Sequence, residues 1–532
     1  MESIKEFKKG MDLTAKTFAG LEELLAKELK ELGADDVEII KRGCTFRGDE
    51  ALLYKVNYLS RLAIRILKPI GVFDVKNDDQ LYDKVKRINW MDVFKLNQTF
   101  SVDANLFHSD MDHSHYAALK TKDAIVDQFR ESTGKRPWVN VETPHIYIDV
   151  HISHNVCTIS LDSSGESLHK RGYKIGSDKA PINEILAAGM IQLAGWKGDR
   201  DFYDPMCGSG TIPMEAAMLA MNIPAGYYRK EFAFMNWEGF NQELWDKTKE
   251  DADNNLTEHE CNIYASDRSE KAIGITKRNL KFAGLHKDIE VKVAFFDSIK
   301  PENGGVLIMN PPYGIRMEER GEMRDLYKGI GNVLKNNFAG CEAWVICPDF
   351  DQAKFIGLRP SQKITLYNGP IETKFLKFEV YEGTKRYGDN PDERFSKEGK
   401  KDFSKRDDFR DSKDRQSDEA KRGIKKWDDG VRSLEEDRLD LQKTESDGEN
   451  ENYQEPNLKR SDDRKKYYKN DESNSDDRRN LNTKRSQDFE KHMESLRRFT
   501  NSDKKKSDTK KPARKRISTK KPPEAEGGDS KG

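Results

Sequence analysis

The chain has 532 residues, of which 35% are charged and 35% hydrophobic, and its charge is concentrated at the C-terminal end. From Pro391 to Gly532, 75 of 142 residues are charged, 40 of them basic and 35 acidic, whereas the first 390 residues carry 53 basic and 59 acidic residues. Net charge therefore says little about partners. Six scattered cysteines without a CxxC pair argue against a zinc site or a disulfide framework. Without an apolar leader or a long apolar run, we expect no signal peptide, no membrane span and a cytoplasmic location.

The first 165 residues predict an α+β region. Ala19–Leu32 carries an apolar stripe at helical spacing, and Gly33 is expected to end that helix. Ile146–Ile152 alternates apolar with polar residues, the pattern of a half-buried strand, and His154-Asn155 supplies a turn. The other predicted elements are strands at Val37–Ile40, Thr45–Arg47, Thr99–Leu106 and Val156–Leu161 and helices near Leu52–Leu67 and at Tyr116–Arg130.

From about Leu168 the pattern changes to a regular alternation of strands and helices. Such alternation predicts a mostly parallel sheet with helices on both faces. An insertion at Gly226–Leu256 is expected to lengthen the first crossover. The predicted strands are Asp201–Asp204, Asn262–Asp267, Ile289–Asp297, Val306–Met309, Ala343–Cys347, Lys363–Tyr367 and Lys374–Tyr381, and the predicted helices are Ile182–Gly195, Thr211–Ala220, Ser269–Ala283 and Glu322–Phe338.

The segment from about Thr384 onward is predicted to be a disordered charged tail. Its isolated aromatic residues bury too little apolar surface to offset chain entropy. Lys504–Lys521 holds ten basic residues and one acidic residue, Asp508. This polybasic arm is either a solvated spacer or a contributor to nucleic-acid affinity through phosphate contacts.

A glycine-containing loop, DPMCGSGT at residues 204–211, follows the first strand of the second region and opens a helix. Gly208 and Gly210 allow a ligand to approach the backbone closely, at the sheet edge where α/β folds bind ligands. The pattern is neither a phosphate loop nor GxGxxG. Asp267 and Asp297 end the next two predicted strands, where a carboxylate suits a ribose diol and an adenine amino group, respectively. The alternative is that each aspartate caps the following helix.

The fourth predicted strand runs directly into NPPY, residues 310–313. Two consecutive prolines end a strand, because each lacks a ladder N–H and fixes φ. The Asn310 side chain and the Pro311 carbonyl can accept the two N–H bonds of a nucleobase amine, and Pro312 helps to hold that carbonyl rigidly. Tyr313 is expected to stack on the base. The alternative is an ordinary turn with proline at its corner.

In this order, the glycine loop, the two aspartates and NPPY resemble class I S-adenosylmethionine-dependent methyltransferases. The resemblance implies a Rossmann-like domain with S-adenosyl-L-methionine as its cofactor. It implies that Asp204 and the backbone of Gly208 and Gly210 lie near the methionine moiety, that Asp267 holds the ribose and that Asp297 meets the adenine. NPPY resembles motifs of enzymes that modify base amino groups, and it leaves guanine N2, adenine N6 and cytosine N4 open.

Four stretches narrow the resemblance: SLHKRGYKIGSDKAPINEILAAGM (167–190), DPMCGSGTIPMEAAMLA (204–220), GYYRKEFAFMNW (226–237) and NPPYGIR (310–316). Together they resemble the bacterial 23S rRNA guanine-N2-methyltransferase family of the RlmL type, in which a ferredoxin-like lead-in and a THUMP domain deliver RNA. HSHYAALKTKDAIVDQFR (113–130) is similar to the THUMP helix region.

This resemblance implies a ferredoxin-like lead-in at residues 1–60, a THUMP RNA-binding domain at 61–165, a methyltransferase domain at 166–383 and the tail at 384–532. Some family members carry a second methyltransferase domain where this chain has the charged tail, so we do not expect the activity of that second domain. The implied partner is 23S rRNA or a large-subunit assembly intermediate. A guanine within RNA secondary structure must be unstacked to reach Asn310, which favours partly unfolded or protein-free RNA.

Six basic residues are candidates for RNA phosphate contacts, namely Lys120, Lys122, Lys170, Arg171, Arg229 and Arg316. Arg171 is preferred because it lies at the predicted domain junction. The alternative for each is ordinary surface charge. His113 and His115 lack a third ligand at suitable spacing, so we expect no metal site, and we expect Cys207 to be a packing residue.

Other functions stay open on the sequence. One is a tRNA guanine-N2-methyltransferase with the same domains, and another is an adenine-N6 DNA methyltransferase, which the RNA-directed first half argues against. A third is a non-catalytic RNA-binding ribosome-assembly factor that retains the methyltransferase fold. An intact set of Asp204, Gly208, Gly210 and Asn310 argues against this last function.

Overall fold

The computed structural model describes residues 10–177, 181–312, 320–348 and 350–381, together with Lys491 alone in the tail. The described residues form two sheets. The first half, within residues 10–167, has mixed α+β structure, and the second half, within residues 168–381, has α/β structure. This is the predicted order of fold classes. The predicted disorder of the tail concerns residues outside those described.

The first half contains one continuous sheet of eight strands in the order β2-β3-β1-β4-β8-β7-β5-β6. β5 pairs in parallel with β6 and β7, and the other neighbours are antiparallel. Its strands are β1 (Met11–Lys16), β2 (Asp35–Ile40), β3 (Gly43–Gly48), β4 (Arg65–Asp74), β5 (Thr99–Phe107), β6 (Trp138–Val139), β7 (Ile146–Ser153) and β8 (Val156–Asp162), and its α-helices are α1 (Glu22–Leu32), α2 (Glu50–Leu59), α3 (Asp78–Val85) and α4 (Ser114–Thr133).

The second half contains a seven-stranded sheet in the order β11-β10-β9-β12-β13-β15-β14. Its strands run parallel except β15, which is antiparallel to both of its neighbours. The strands are β9 (Phe202–Asp204), β10 (Ile263–Asp267), β11 (Glu290–Val293), β12 (Gly305–Met309), β13 (Cys341–Cys347), β14 (Gln362–Asn368) and β15 (Ile371–Glu379), and the α-helices are α5 (Glu184–Leu193), α6 (Thr211–Ala220), α7 (Gln242–Asp253), α8 (Glu270–Ala283), α9 (Arg320–Asn337) and α10 (Phe350–Ala353).

Local capping chemistry fixes several helix ends. The Ser269 hydroxyl at the start of α8 accepts a hydrogen bond from the amide of Ala272, and Gly284 ends this helix in the left-handed conformation. Gly33 ends α1 with φ of 102°, as predicted. α8 is therefore a well-defined element, and it lies beside the glycine loop that follows β9.

A single buried core joins residues 13–66 to the second half. The Arg61 guanidinium donates hydrogen bonds to the carbonyls of Met218 and Ile223, beyond the glycine loop, at 3.0 and 2.7 Å. The predicted insertion contributes aromatic side chains to this core, and the ring of Phe234 stacks on that of Tyr54 in α2 with centroids 4.5 Å apart. The insertion therefore docks the second half onto the start of the chain.

Two predicted elements extend well beyond their observed ends, and several elements were not predicted. The helix predicted near Leu52–Leu67 ends at Leu59, and Arg65 begins β4. The strand predicted at Ile289–Asp297 ends at Val293, and Asp297 lies in a short 3-10 helix. The unpredicted elements are β1, most of β4, α3, β6, α7 and α10.

Candidate active site

Three neighbouring parallel strands, β10, β9 and β12, bring their carboxyl ends to one edge of the second sheet. Asp204 ends β9, Asp267 ends β10, and Asn310 directly follows β12. Since adjacent strands lie about 4.8 Å apart, these three side chains share one edge of the sheet. The structure therefore brings together the first aspartate, the second aspartate and the asparagine that the sequence predicted for one site.

The loop that follows β9 requires both of its glycines. Gly208 and Gly210 have φ of 55° and 85°, in the left-handed region that favours glycine. A Cβ on Gly210 would lie 2.8 Å from Cγ2 of Thr276, whereas a Cβ on Gly208 would have no atom of the described residues within 4 Å. Gly210 is thus fixed by packing against α8, while no described residue packs against the position of a Gly208 side chain.

Side chains from β10 and α8 hold this loop in place. Asp267 accepts a hydrogen bond from the Gly208 amide at 3.1 Å. Thr276 donates its hydroxyl to the Gly208 carbonyl at 2.8 Å, and Asn279 donates its amide to the Ser209 carbonyl at 3.1 Å. Both α8 residues are fully buried. Sequence reasoning missed Thr276 and Asn279, although a signal was present: two polar residues three positions apart on the buried face of a helix.

Asp267 is not the cap of α8, because Ser269 occupies that position. Its second carboxylate oxygen accepts the Ser269 amide at 2.8 Å, so the carboxylate bridges the glycine loop and the segment that leads into α8. The alternative of simple helix capping therefore does not describe this residue. Its predicted contact with a ribose stays a prediction.

Asp204 is a buried carboxylate with one free oxygen. It is 1% exposed, and Oδ1 accepts the Met206 amide at 3.1 Å. Oδ2 is buried and has no hydrogen-bond partner among the described residues. Burial raises the pKa of Asp204 well above its usual range, and the nearby negative charge of Asp267 raises it further. A cation placed at Oδ2 would favour the ionised form.

Asn310 has the second unpartnered oxygen of this edge. Its side-chain Oδ1 is buried and accepts no hydrogen bond within the described parts of the chain. Pro311, which follows it, is buried, and Pro312 is exposed. A buried acceptor without a partner costs roughly 1–3 kcal/mol, and this oxygen is available to accept a hydrogen bond from a bound ligand. Tyr313 and Arg316 lie outside the described residues.

Asp297 lies beyond the end of β11 rather than at its last residue. It is exposed and belongs to the 3-10 helix Phe296–Ser298. Its backbone carbonyl accepts a hydrogen bond from the side chain of Asn337 at 2.6 Å, which ties this helix to the end of α9. Phe295, two residues earlier, is 66% exposed. The predicted adenine contact of Asp297 stays a prediction.

The buried location of Arg171 corrects its prediction as a phosphate contact. Its side chain is 2% exposed and donates to the carbonyls of Leu168 and Arg61 at 3.0 and 2.6 Å. Its guanidinium also lies 3.4 Å from the carboxylate of Glu215 in α6. These contacts join the linker between β8 and α5, which contains Arg171, to both halves. Arg171 is therefore a buried structural residue and does not face RNA.

Arg229 is corrected for the same reason. It is 8% exposed, and its guanidinium donates to four backbone carbonyls of residues 164–170 at 2.9 to 3.2 Å. Burial lowers the pKa of Arg229 to about 10. The guanidinium of Arg229 thus forms hydrogen bonds with these carbonyls and is not exposed to solvent.

The three candidate lysines are more accessible. Lys120 lies 3.8 Å from Asp79, Lys122 lies 2.9 Å from Asp123, and Lys170 lies 3.1 Å from Glu166. Surface ion pairs of this kind are worth about 0–1 kcal/mol, so a phosphate can replace the carboxylate at little cost. Their RNA contacts stay predictions.

Within the described ranges there is no cluster of three histidine, cysteine or acidic side chains arranged to hold a metal ion. In those ranges we also find no helix of sufficient length and apolar character to cross a membrane.

Family models match three successive parts of the chain. The RlmL ferredoxin-like domain model matches residues 12–67, and the THUMP domain model matches residues 75–162. The model of the RMKL-like methyltransferase domain matches residues 171–377. The matches cover both sheets and follow the order in which the resemblance was predicted.

Individual relatives match about two thirds of the chain. "Putative RNA methyltransferase slr0064" of Synechocystis sp. is 39% identical over 364 residues, which is 68% of this chain and 95% of that protein. "Ribosomal RNA large subunit methyltransferase K/L" of Syntrophotalea carbinolica is 39% identical over 389 residues, 70% of this chain and 54% of that protein. The chain thus spans about half the length of this second relative.

A solved structure shows the same fold with a ligand. The crystal structure of SMU.472, described as "a putative methyltransferase complexed with SAH", has a TM-score of 0.64 and 28% identity, and the similarity covers 71% of this chain and all of that one. SAH is the product that remains after S-adenosylmethionine has lost its methyl group. The two unpartnered oxygens and the open space at Gly208 suit a ligand of this kind.

Proposed function

We propose that this chain, which belongs to the family of RMKL-like methyltransferases with a ferredoxin-like lead-in and a THUMP domain, methylates large-subunit ribosomal RNA. The specific reaction is transfer of a methyl group from S-adenosylmethionine to the exocyclic N2 amine of a guanine. When bound, the cofactor supplies an electrophilic methyl group on a sulfonium.

The residues that would hold the cofactor surround the glycine loop. The Gly208 and Gly210 backbone forms the cradle, and Asp204 would pair its free oxygen with the methionine ammonium. Asp267 would hold the ribose through the lone pairs that its hydrogen bonds from the Gly208 and Ser269 amides leave available. Asp297 would meet the adenine. A cationic partner for Asp204 would also relieve the cost of its buried charge.

The observation that carries the proposal is the unpartnered Oδ1 of Asn310 at the end of β12. A guanine amine is nearly planar, because its lone pair is delocalised into the ring, and it is a weak nucleophile. Acceptance of its two N–H bonds by the Asn310 oxygen and the Pro311 carbonyl would favour a pyramidal nitrogen with its lone pair aimed at the methyl group. Tyr313 would stack on the base. The proton can leave after transfer, so no strong base is required.

Two observations favour RNA as the substrate. The first half matches the THUMP domain model, and the resemblance to the RlmL-type family implies RNA delivery by this part. The relative from Syntrophotalea carbinolica is named as a ribosomal RNA large-subunit enzyme, which favours 23S rRNA over tRNA. Because the chain covers about half of that relative, this substrate is a proposal for the present chain.

The test compares modified nucleosides in strains with and without the gene. We expect one N2-methylguanosine to be lost from 23S rRNA, as mapped by mass spectrometry of rRNA fragments, and to be restored by the purified protein on protein-free 23S rRNA. Loss from tRNA with intact rRNA would establish the tRNA alternative. Loss of N6-methyladenine from DNA with intact N2-methylguanosine would overturn the proposal, and unchanged nucleosides throughout would favour the non-catalytic assembly factor.

A further inference from the structure

A groove of about 650 Å³ lies between four parts of the chain. The lead-in contributes Phe18, the linker between β8 and α5 contributes residues 169–170 and 174–177, and the end of β14 with the turn after it contributes Asn368 and Gly369. The start of α5 completes its wall. The volume is within the range of roughly 300–1,000 Å³ that is usual for ligand-binding clefts.

The groove opens at the same sheet edge as the candidate active site. β14 runs parallel to β12 and β13, because it pairs antiparallel with β15, which itself pairs antiparallel with β13. Its carboxyl end at Asn368 therefore lies at the same edge as Asn310. β14 is three strands away from β12 in the sheet, a separation of about 14 Å at the usual strand spacing.

Asn279 joins the wall of this groove to the glycine loop. Its side-chain oxygen accepts the amides of Ile175 and Gly176 in the groove wall at 3.1 and 3.2 Å. Its side-chain nitrogen donates to the carbonyls of Gly176 and Ser209 at 2.9 and 3.1 Å. One buried amide thus fixes the groove wall and the cofactor loop relative to each other.

The lining of the groove combines cations, apolar surface and an amide. Lys170 is exposed, and its partner Glu166 is exposed as well, so the pair is easily opened. Lys174 pairs with Glu184 at 2.5 Å, with both side chains largely buried, and therefore adds little net charge. Ile175 is 57% exposed, and Phe18 lines the opposite part. Phosphate groups and base faces are the chemical features that such a surface recognises.

From this geometry we infer that the groove binds the single-stranded RNA next to the target nucleotide. The inference rests on the proposed function and adds a subsite to it. Lys170 contacts a phosphate of the flanking strand, the apolar wall covers a base face, and the Asn368 amide contacts a base edge or the sugar. A flanking strand held here keeps the unstacked nucleotide at Asn310, three strands away.

The test is binding of a fluorescein-labelled oligouridine of about 12 nucleotides, within the usual site size of single-strand binders, in the presence of SAH. A duplex of the same length is the comparison. We expect Lys170→Glu to weaken single-strand binding about tenfold at low salt and to reduce the slope of log affinity against log salt by about 0.7, the loss of one phosphate contact. Asn368→Asp, which places a negative charge in the groove, should weaken the same binding.

Lys27→Glu is the matched control. Lys27 forms an exposed ion pair with Glu31 at spacing i, i+4, as Glu166 and Lys170 do, but it lies on α1. Equal single-strand affinities for Lys170→Glu and Lys27→Glu would overturn the inference that the groove binds single-stranded RNA. Oligouridine that contains 4-thiouridine should crosslink to residues 168–177 or 366–371, and crosslinks confined to other peptides would also overturn it.

Methyl transfer to 23S rRNA is measured in parallel to separate the two proposals. A protein that binds single strands through the groove but methylates no RNA contradicts the proposed function and leaves the groove supported. If the Lys170→Glu and Lys27→Glu variants methylate rRNA equally well, the inferred RNA-binding role of the groove is contradicted and the proposed function is not.

Discussion

The glycine loop after β9 and the Asn310–Pro312 segment after β12 lie at one sheet edge but satisfy their polar groups differently. In the loop, the Gly208 amide, the Gly208 carbonyl and the Ser209 carbonyl all have partners within the protein. In the segment after β12, the Asn310 oxygen is buried and has none among the described residues. The loop is held in shape by the protein itself, whereas the Asn310 oxygen is the acceptor that we propose binds the nucleobase.

This difference suggests a division of work between the two segments. A cofactor that must bind in one orientation benefits from a cradle whose shape is fixed beforehand, since little ordering is then required on binding. A hydrogen-bond acceptor for the nucleobase amine must have no other partner when the base binds. It accelerates methyl transfer most if its position is fixed before the base binds. Substitutions in the loop should therefore act on cofactor affinity, and substitutions at Asn310 on the transfer step.

The largest effect is expected from Asn310→Ala. Loss of the acceptor should reduce the rate of methyl transfer about 10²–10³-fold, the usual cost of one preorganised polar group in an active site. The rate is measured in single turnovers with a labelled methyl group, and SAH affinity is measured by calorimetry. SAH affinity should be nearly unchanged, because in the proposed mechanism Asn310 binds the nucleobase, and its Oδ1 makes no hydrogen bond to the glycine loop.

Asn310→Asp is the matched variant, since it retains an acceptor oxygen at the same position. We expect it to keep more transfer activity than Asn310→Ala. Equal turnover by Asn310→Ala and the parent protein would remove Asn310 from the mechanism, and an equal loss in both variants would show that an acceptor oxygen alone is not sufficient.

The repeating pattern of the second half made its fold predictable. The bounds of α6, Thr211–Ala220, agree with the prediction, and β10 and β12 each differ from it by one residue at the start. Buried parallel strands and the helices between them have strong periodicities, and the loops that carry function follow the strand ends. The order of the glycine loop and NPPY along the chain therefore indicated their shared sheet edge.

Other features depended on contacts between distant residues. β4 contains Pro69 and Gly71 at a register shift, which conceals its strand pattern in the sequence. Arg171 looked like a surface cation because its partners, the Arg61 carbonyl and Glu215, are far away in the sequence. Charge in a sequence does not reveal desolvation, and only the packing of the lead-in against α6 buries this guanidinium.

The second prediction concerns the pH dependence of cofactor affinity through Asp204. Burial raises the pKa of this carboxyl, so its ionised form is disfavoured in the unliganded site, whereas a bound ammonium group favours the ionised form. SAH affinity, measured by calorimetry from about pH 5 to pH 8, should therefore rise as pH rises through the raised pKa of Asp204. Asp204→Asn should remove most of this rise and weaken SAH binding about 10–100-fold at the upper end, the range for a hydrogen bond to a charged group.

Stability provides an independent check with the opposite sign. Because the pKa of Asp204 is higher in the folded protein than in the unfolded chain, ionisation with rising pH destabilises the unliganded fold. The Tm of the unliganded parent protein should thus fall relative to that of Asp204→Asn as pH rises from the usual aspartate range through the raised pKa. Parallel Tm curves for the two proteins would contradict a raised pKa of Asp204 in the folded protein.

The smallest effect is expected from Thr276→Val, which removes one hydroxyl donor at nearly constant volume. The Gly208 carbonyl then loses its partner from α8, and the loop samples more conformations. We expect SAH affinity to fall about threefold to tenfold, in line with about 0.5–1.5 kcal/mol for one hydrogen bond, with the transfer rate at saturating cofactor retained.

Thr248→Val is the control, because Thr248 in α7 donates its hydroxyl to the Leu244 carbonyl at 2.7 Å and lies outside the loop contacts. It should leave SAH affinity unchanged. If Thr276→Val lowered the transfer rate but not SAH affinity, the glycine loop would also affect how the nucleobase is positioned. The glycine loop and the Asn310 oxygen would then be coupled, through the neighbouring strands β9 and β12 that they follow.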